Sequence, residues 1–197
     1  MKLFWTPKTR SLRAIWMLEE AGVEYDMEQV DIRSENRKDS DEFLRASPMG
    51  KVPAIIDGDA AMSESAAICL YIADRYRSGE LAPAIDDPQR GRFLYWLMYT
   101  PAVVEPAMIE KVSNIESNRV RNGWGDFDTM ISTFEDALRD NTWVLGEEFS
   151  AADVMLGSSA HFLRMFKMLP ETSNIADYAD RCVGREAFQR ALLVSGD

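Results

Sequence analysis

Sulfur and imidazole are scarce in this chain: Cys69, Cys182 and a single histidine, His161, are all that its 197 residues hold. The cysteines stand far apart without CxxC spacing, and with one histidine they cannot build a common zinc site. No metal is therefore expected, and unpaired thiols fit a reducing cytosol. Long apolar runs are missing as well. No window approaches the roughly 18 apolar residues of a spanning helix, and no charged segment leads into an apolar run as a secretion signal does. Basic charge is in deficit, with 22 Lys and Arg against 33 Asp and Glu for a net charge of −11. No basic stripe offsets it, which argues against nucleic-acid binding. Repeats and low-complexity tracts are absent. The expectation is a cytoplasmic protein with neither a membrane nor a nucleic-acid partner.

What is present reads as ordinary globular protein, 46% hydrophobic and 28% charged, long enough for one domain or two small ones. Lys2-Leu3-Phe4-Trp5 is a short strand candidate. From Ser11 to Ala21 the apolar positions share a helical face, and Gly22 stops it. A second strand is expected over 25–32, a charged stretch over 33–42, strands at 53–56 and 60–62, and a helix from 65 to about 77. The order is β-α-β-α-β-β-α. Gly79, Pro83 and Pro88 then break the pattern, marking a linker at 78–88 between a domain at 1–77 and a helical domain at 89–197. Helices are expected over 89–112, 126–140 and 150–168, the first kinked by Pro101 and Pro106. The polar segment 113–125 is expected to fray. Ser150 and Asp153 form a capping box, a folding role.

The most informative stretch is Gly50-Lys51-Val52-Pro53-Ala54-Ile55-Ile56-Asp57-Gly58 followed by Ser63-Glu64-Ser65-Ala66-Ala67-Ile68. Asp57-Gly58 supplies a hairpin turn, and the second half is a helix start with a hydroxyl and a carboxylate near unpaired N–H groups. Together the two halves resemble the glutathione-binding half of the bacterial cytosolic glutathione S-transferase family, which places a cis-proline where Pro53 stands and a Glu/Gln-Ser pair where Glu64-Ser65 stands. The Ser150–Asp153 box and the ending Gly184-Arg185-Glu186-Ala187-Phe188 are similar to that family too, so the resemblance covers nearly the whole chain. It implies a thioredoxin-like α/β N-terminal domain followed by an all-α domain, with glutathione as co-substrate. It also implies that Val52 offers its backbone to the cysteinyl unit, that Ser65 meets the γ-glutamyl carboxylate and Glu64 the α-ammonium, and that Lys51 lies near the glycyl carboxylate. A homodimer is implied as well.

A thiol near pKa 8.5 is mostly protonated at neutral pH, so the protein must stabilise the thiolate. The family carries its activating residue between the first strand and first helix, here Trp5-Thr6-Pro7-Lys8-Thr9-Arg10-Ser11. From Met1 through Glu19-Glu20-Ala21-Gly22 the opening resembles bacterial beta-class members, which have a cysteine at the position of Arg10. Its absence disfavours mixed-disulfide chemistry. Thr9 falls where theta-like members place a serine, and is the first candidate thiolate donor, with Thr6 and Ser11 behind it. Arg10 can act instead by charge, and Thr9 can equally be the cap of the first helix.

The second substrate is expected to be a small hydrophobic electrophile, held by Trp96, Tyr99, Thr100 and Met108 of the helical domain with Trp5 and Pro7 as the opposite wall. Aromatic and Met residues at helical spacing also suit a plain core. His161 reads as packed or solvated. Three functions follow: transfer of glutathione to an electrophile, glutathione-dependent peroxide reduction at the same site, and a non-catalytic interaction protein like the stringent-starvation proteins.

Overall fold

Leu3 and Phe4 point to opposite sides of one strand and both are fully buried, so that strand must be covered on both faces. The computed structural model, which describes residues 1–170 and 172–196, places it accordingly. Glu171 and Asp197, within the region 89–197 expected to be helical, lie outside the described residues. β1 (Lys2–Trp5), β2 (Asp26–Gln29), β3 (Ala54–Asp57) and β4 (Ala60–Ser63) form a four-stranded sheet in the order β2-β1-β3-β4. β2 is parallel to β1, and the other pairings are antiparallel. With α1 (Ser11–Ala21), α2 (Asp41–Ala46) and α3 (Ser65–Tyr76) the order is that of a thioredoxin-like domain, as the sequence led us to expect. β2 is shorter than the 25–32 expected. It is an edge strand whose ladder cannot outrun its partner: Val30 N–H still reaches Trp5 O at 2.9 Å, and there β1 ends.

Phe4, Ala54 and Ile56 share one face of the sheet with Phe43 and Ala46 of α2, the Phe4 and Phe43 rings lying 5.3 Å apart. Leu3 and Ile55 are sealed on the other face. α1 is buried almost all round, from Ser11 through Leu18, because it packs on α3 and also on α9 (Glu186–Ser195). Gly22 closes it in the left-handed region at φ +64°, its N–H returning to Leu18 O. Trp16 meets Phe188 edge to face at 4.6 Å, and Arg185 grips Glu20 with two bonds of 2.6 and 2.7 Å. A first compact unit thus comprises Met1–Leu81 and the segment from Gly184.

The second unit, Ala82–Val183, is helical: α4 (Arg90–Tyr99), α5 (Glu105–Val112), α6 (Phe127–Leu138), α7 (Ala151–Met165) and α8 (Asn174–Val183). The expected kinks at Pro101 and Pro106 take the form of a π-helical turn, Thr100–Val104, joining α4 to α5, in which Glu105 N–H reaches back to Thr100 O. Proline has no N–H for the regular ladder, so the turn widens instead of stopping. Residues 113–125 carry no helix or strand. Asp153, fully buried at the start of α7, accepts from Ser150 N–H at 2.9 Å, Val144 N–H at 3.0 Å and the Tyr178 hydroxyl at 2.9 Å. Burial pushes its carboxyl up to about 6 even against those bonds.

Candidate active site

Strand register gathers the sequence-predicted glutathione residues at one end of the sheet. β1 runs toward Trp5, and Phe4 pairs with Ala54, so β3 begins where β1 ends. Ala54 in turn pairs with Ser63, so β4 finishes at that same end and α3 starts there at Ser65. Segments far apart in sequence, the turn over 6–10, the residues Lys51-Val52-Pro53, and Glu64-Ser65, therefore emerge side by side on adjacent strands about 5 Å apart.

The chain approaching Val52 is held at several points. Ser47 N–H bonds Phe43 O, Gly50 N–H bonds Ser47 O, and Lys51 N–H bonds Ser47 Oγ, each at 2.8 Å. At Val52 the pairing stops: among the described residues its N–H and C=O have no hydrogen-bond partner. The following Val52–Pro53 peptide is cis. Ser65, 9% exposed, heads α3 with no hydrogen-bond partner for its hydroxyl among the described residues, and no acidic side chain occupies the first turn of that helix. Glu64 is exposed and held at φ +72°, ψ +114°, an uncommon conformation for a residue with a side chain. Lys51 is exposed and makes no ion pair among the described residues. One strand-like donor and acceptor, a hydroxyl at a helix N-terminus, a carboxylate and an ammonium suit an extended peptide bearing carboxylates and an amine.

The turn after β1 is tightly knitted. Thr6 donates its hydroxyl to Val30 O, and its N–H reaches Ser11 Oγ at 3.3 Å. Thr9 Oγ1 stands 2.7 Å from Thr6 O and 2.9 Å from Ser11 Oγ, and accepts from Ser11 N–H at 3.1 Å. Its single proton is thus shared between two local acceptors, while its oxygen takes the N–H of the first residue of α1. Thr6 and Ser11 are buried inside this knot and unable to face a ligand. Arg10 occupies the N-cap position of α1 with its side chain exposed.

The residues expected around the second substrate divide between the units. Trp5 and Pro7 are half-buried in the first. In the second, Tyr95, Trp96 and Tyr99 form a ring cluster on α4 with centroids 4.9 to 5.6 Å apart. Tyr99 is largely core: its hydroxyl donates to Met130 O at 3.2 Å, and burial pushes it up to about 12. Thr100 is fully buried with Oγ1 unpaired, and Met108 is half-buried on α5. His161 is half-buried beside Phe162.

The glutathione S-transferase N-terminal domain model matches residues 1–74, and the C-terminal domain model matches residues 117–181. A curated relative, glutathione S-transferase hmp2 of Hypomyces subiculosus, is 30% identical over 78% of this chain and 78% of its own length. The chain belongs to the glutathione S-transferase family. Glutathione S-transferase GstA of Escherichia coli O157:H7 is 26% identical to this transferase across 100% of it and 99% of the relative. Among solved structures, a ternary complex of the bacterial transferase BphK superposes with a TM-score of 0.83 at 27% identity, covering 100% of both chains.

Two further features of the transferase bear on its chemistry. Among the described residues no group of three or more His, Cys, Asp or Glu side chains is placed to hold a metal ion, and no helix is long and apolar enough to cross a membrane. Sequence reasoning also passed over two residues that set the backbone leading to Val52, namely Ser47 and Arg37. The available signal was Gly50 itself, which holds φ +62°.

Proposed function

We propose that the protein holds glutathione along the end of its sheet and transfers it to a small hydrophobic electrophile. Family membership supports the activity. The observation that carries the site is that the Val52 backbone and the Ser65 hydroxyl, brought to one end of the sheet by strand register, have no partner among the described residues. Val52 pairs with the cysteinyl unit as an added strand, Ser65 and the helix start take the γ-glutamyl carboxylate, Glu64 takes the α-ammonium, and Lys51 takes the glycyl carboxylate. The thiol proton passes to solvent, the sulfur forms a bond to the electrophilic carbon, and the leaving group departs with the electron pair. Arg10 stabilises the thiolate by charge, and Thr9 joins it when its hydroxyl turns from Thr6 O, giving up a bond of about 1 kcal/mol.

Transferase names among the relatives favour conjugation over peroxide reduction or a non-catalytic role. We place the protein in the cytosol, where its two free, buried cysteines remain reduced, and as a homodimer. The test is retention on immobilised glutathione with turnover of a chloronitrobenzene electrophile. Wild type is retained and active, and Ser65→Ala loses retention. Unchanged retention by Ser65→Ala overturns the site.

A further inference from the structure

We propose that Arg37, anchored by Asp39, is a positioning residue that sets the Gly50–Val52 backbone for glutathione. The proposal rests on the reading of Val52 and Ser65 as the glutathione site. Arg37 Nη2 donates to Gly50 O at 2.8 Å and lies 3.0 Å from Asp39 Oδ2. Both side chains are shielded, at 25% and 14% exposure, so this charge-assisted bond competes little with water. The guanidinium also lies directly over Gly50: a Cβ there would stand 2.2 Å from Arg37 Nη2 and 3.2 Å from Asp39 Oδ2.

The geometry on the two sides of Gly50 is complementary. Ser47 takes Gly50 N–H through its carbonyl and Lys51 N–H through its hydroxyl, while Arg37 takes Gly50 C=O. Every backbone polar group of Gly50 is thereby fixed, and the next free pair is that of Val52. Glycine has the widest conformational range of any residue, so at this position the bonds, not the residue, must hold φ and ψ. Strand-type pairing needs the Val52 N–H and C=O aimed together at the ligand, and the sulfur position follows from that aim. Without Arg37 the Gly50 carbonyl is left buried and unpaired, and the Lys51 peptide is tethered from the Ser47 side alone. Both contacts use the one nitrogen Nη2, so lysine at 37 can reach the same partners, but as a point charge on a flexible stem it is not held in place as the planar guanidinium is.

The experiment compares wild type, Arg37→Met, Arg37→Lys and Ser65→Ala in steady-state kinetics with a chloronitrobenzene electrophile, in direct titration with glutathione, and in thermal unfolding. Arg37→Met is expected to raise both Kd and KM for glutathione about tenfold, with kcat within about twofold and KM for the electrophile unchanged. Arg37→Lys recovers part of that loss, and amide exchange over 47–53 quickens in Arg37→Met. Unchanged glutathione affinity in Arg37→Met, alongside weakened binding in Ser65→Ala, overturns the clamp and leaves the site standing. Unchanged binding in Ser65→Ala overturns the site reading and the clamp with it. A fall in kcat and in affinity for both substrates, tracking a lowered Tm, assigns Arg37 to folding and also overturns the proposal. Should Arg37→Met fail to fold, Asp39→Asn, which leaves the arginine unanchored, carries the same split between the two KM values.

Discussion

Thr9 Oγ1 accepts the Ser11 N–H at 3.1 Å, so its hydroxyl takes one of the free donors at the start of α1. Thr9→Val is therefore expected to cost about 1 kcal/mol of stability, measured from denaturant midpoints, and Thr9→Ser almost nothing. The same variants divide the chemistry. With Thr9→Val, ultraviolet thiolate absorbance of bound glutathione titrates at higher pH. An unmoved titration leaves activation to Arg10 and the backbone N–H groups.

Asp153 gives stability a pH dependence of unusual sign. Burial raises its folded pKa to about 6, above the ordinary value of about 3.9 for an unfolded aspartate. Between those values the folded state binds the proton and the unfolded chain does not. This contribution is present in full below about pH 4, is lost as pH rises toward 6, and is flat above that. The slope is at most about 1.4 kcal/mol per pH unit. The stability of wild type minus that of Asp153→Asn should thus fall from pH 4 to 6; a difference that rises over that range rejects the raised pKa.

Cys69 and Cys182 are expected to be unreactive in the native protein. Burial pushes the Cys69 thiol up to about 12, against a smaller opposing pull from Arg13, and Cys182 is buried as well. Near neutral pH almost no Cys69 thiolate exists to attack a disulfide reagent. Titration with such a reagent should show no fast thiol until denaturant is added, and then two. A fast native phase would contradict the burial.

Glu20 joins the two ends of the chain. It accepts from Trp16 Nε1 at 2.8 Å and from Arg185 at 2.6 and 2.7 Å, and its side chain is only 7% exposed. Arg185→Met leaves a largely buried carboxylate with one donor and should cost about 1–3 kcal/mol, read from urea midpoints. Adding Glu20→Gln should recover part of that loss. Strict additivity of the two changes would show that the pair is not coupled.

The order of elements in the first unit was legible because each signal is local. Helical periodicity over 11–21 with Gly22 behind it, short apolar runs for the strands, and the Asp57-Gly58 turn each act within a few residues. Lys51, Val52, Pro53, Glu64 and Ser65 were legible for the same reason, being two short contiguous motifs. Long-range pairings left no such trace. Nothing near Arg37 announces Gly50 as its partner, and nothing in the closing helix announces α1.

By itself the sequence determined which segments become helix and strand and which two short motifs make up the candidate glutathione site. Tertiary structure decided the rest. It sealed Thr6 and Ser11, tied the Thr9 hydroxyl to the start of α1, returned α9 to the first unit, and bonded the Gly50 N–H and C=O and the Lys51 N–H while leaving the Val52 N–H and C=O open among the described residues. The reason is physical: propensity and turn chemistry act over a few residues, whereas burial and hydrogen-bond satisfaction are settled only when distant segments meet.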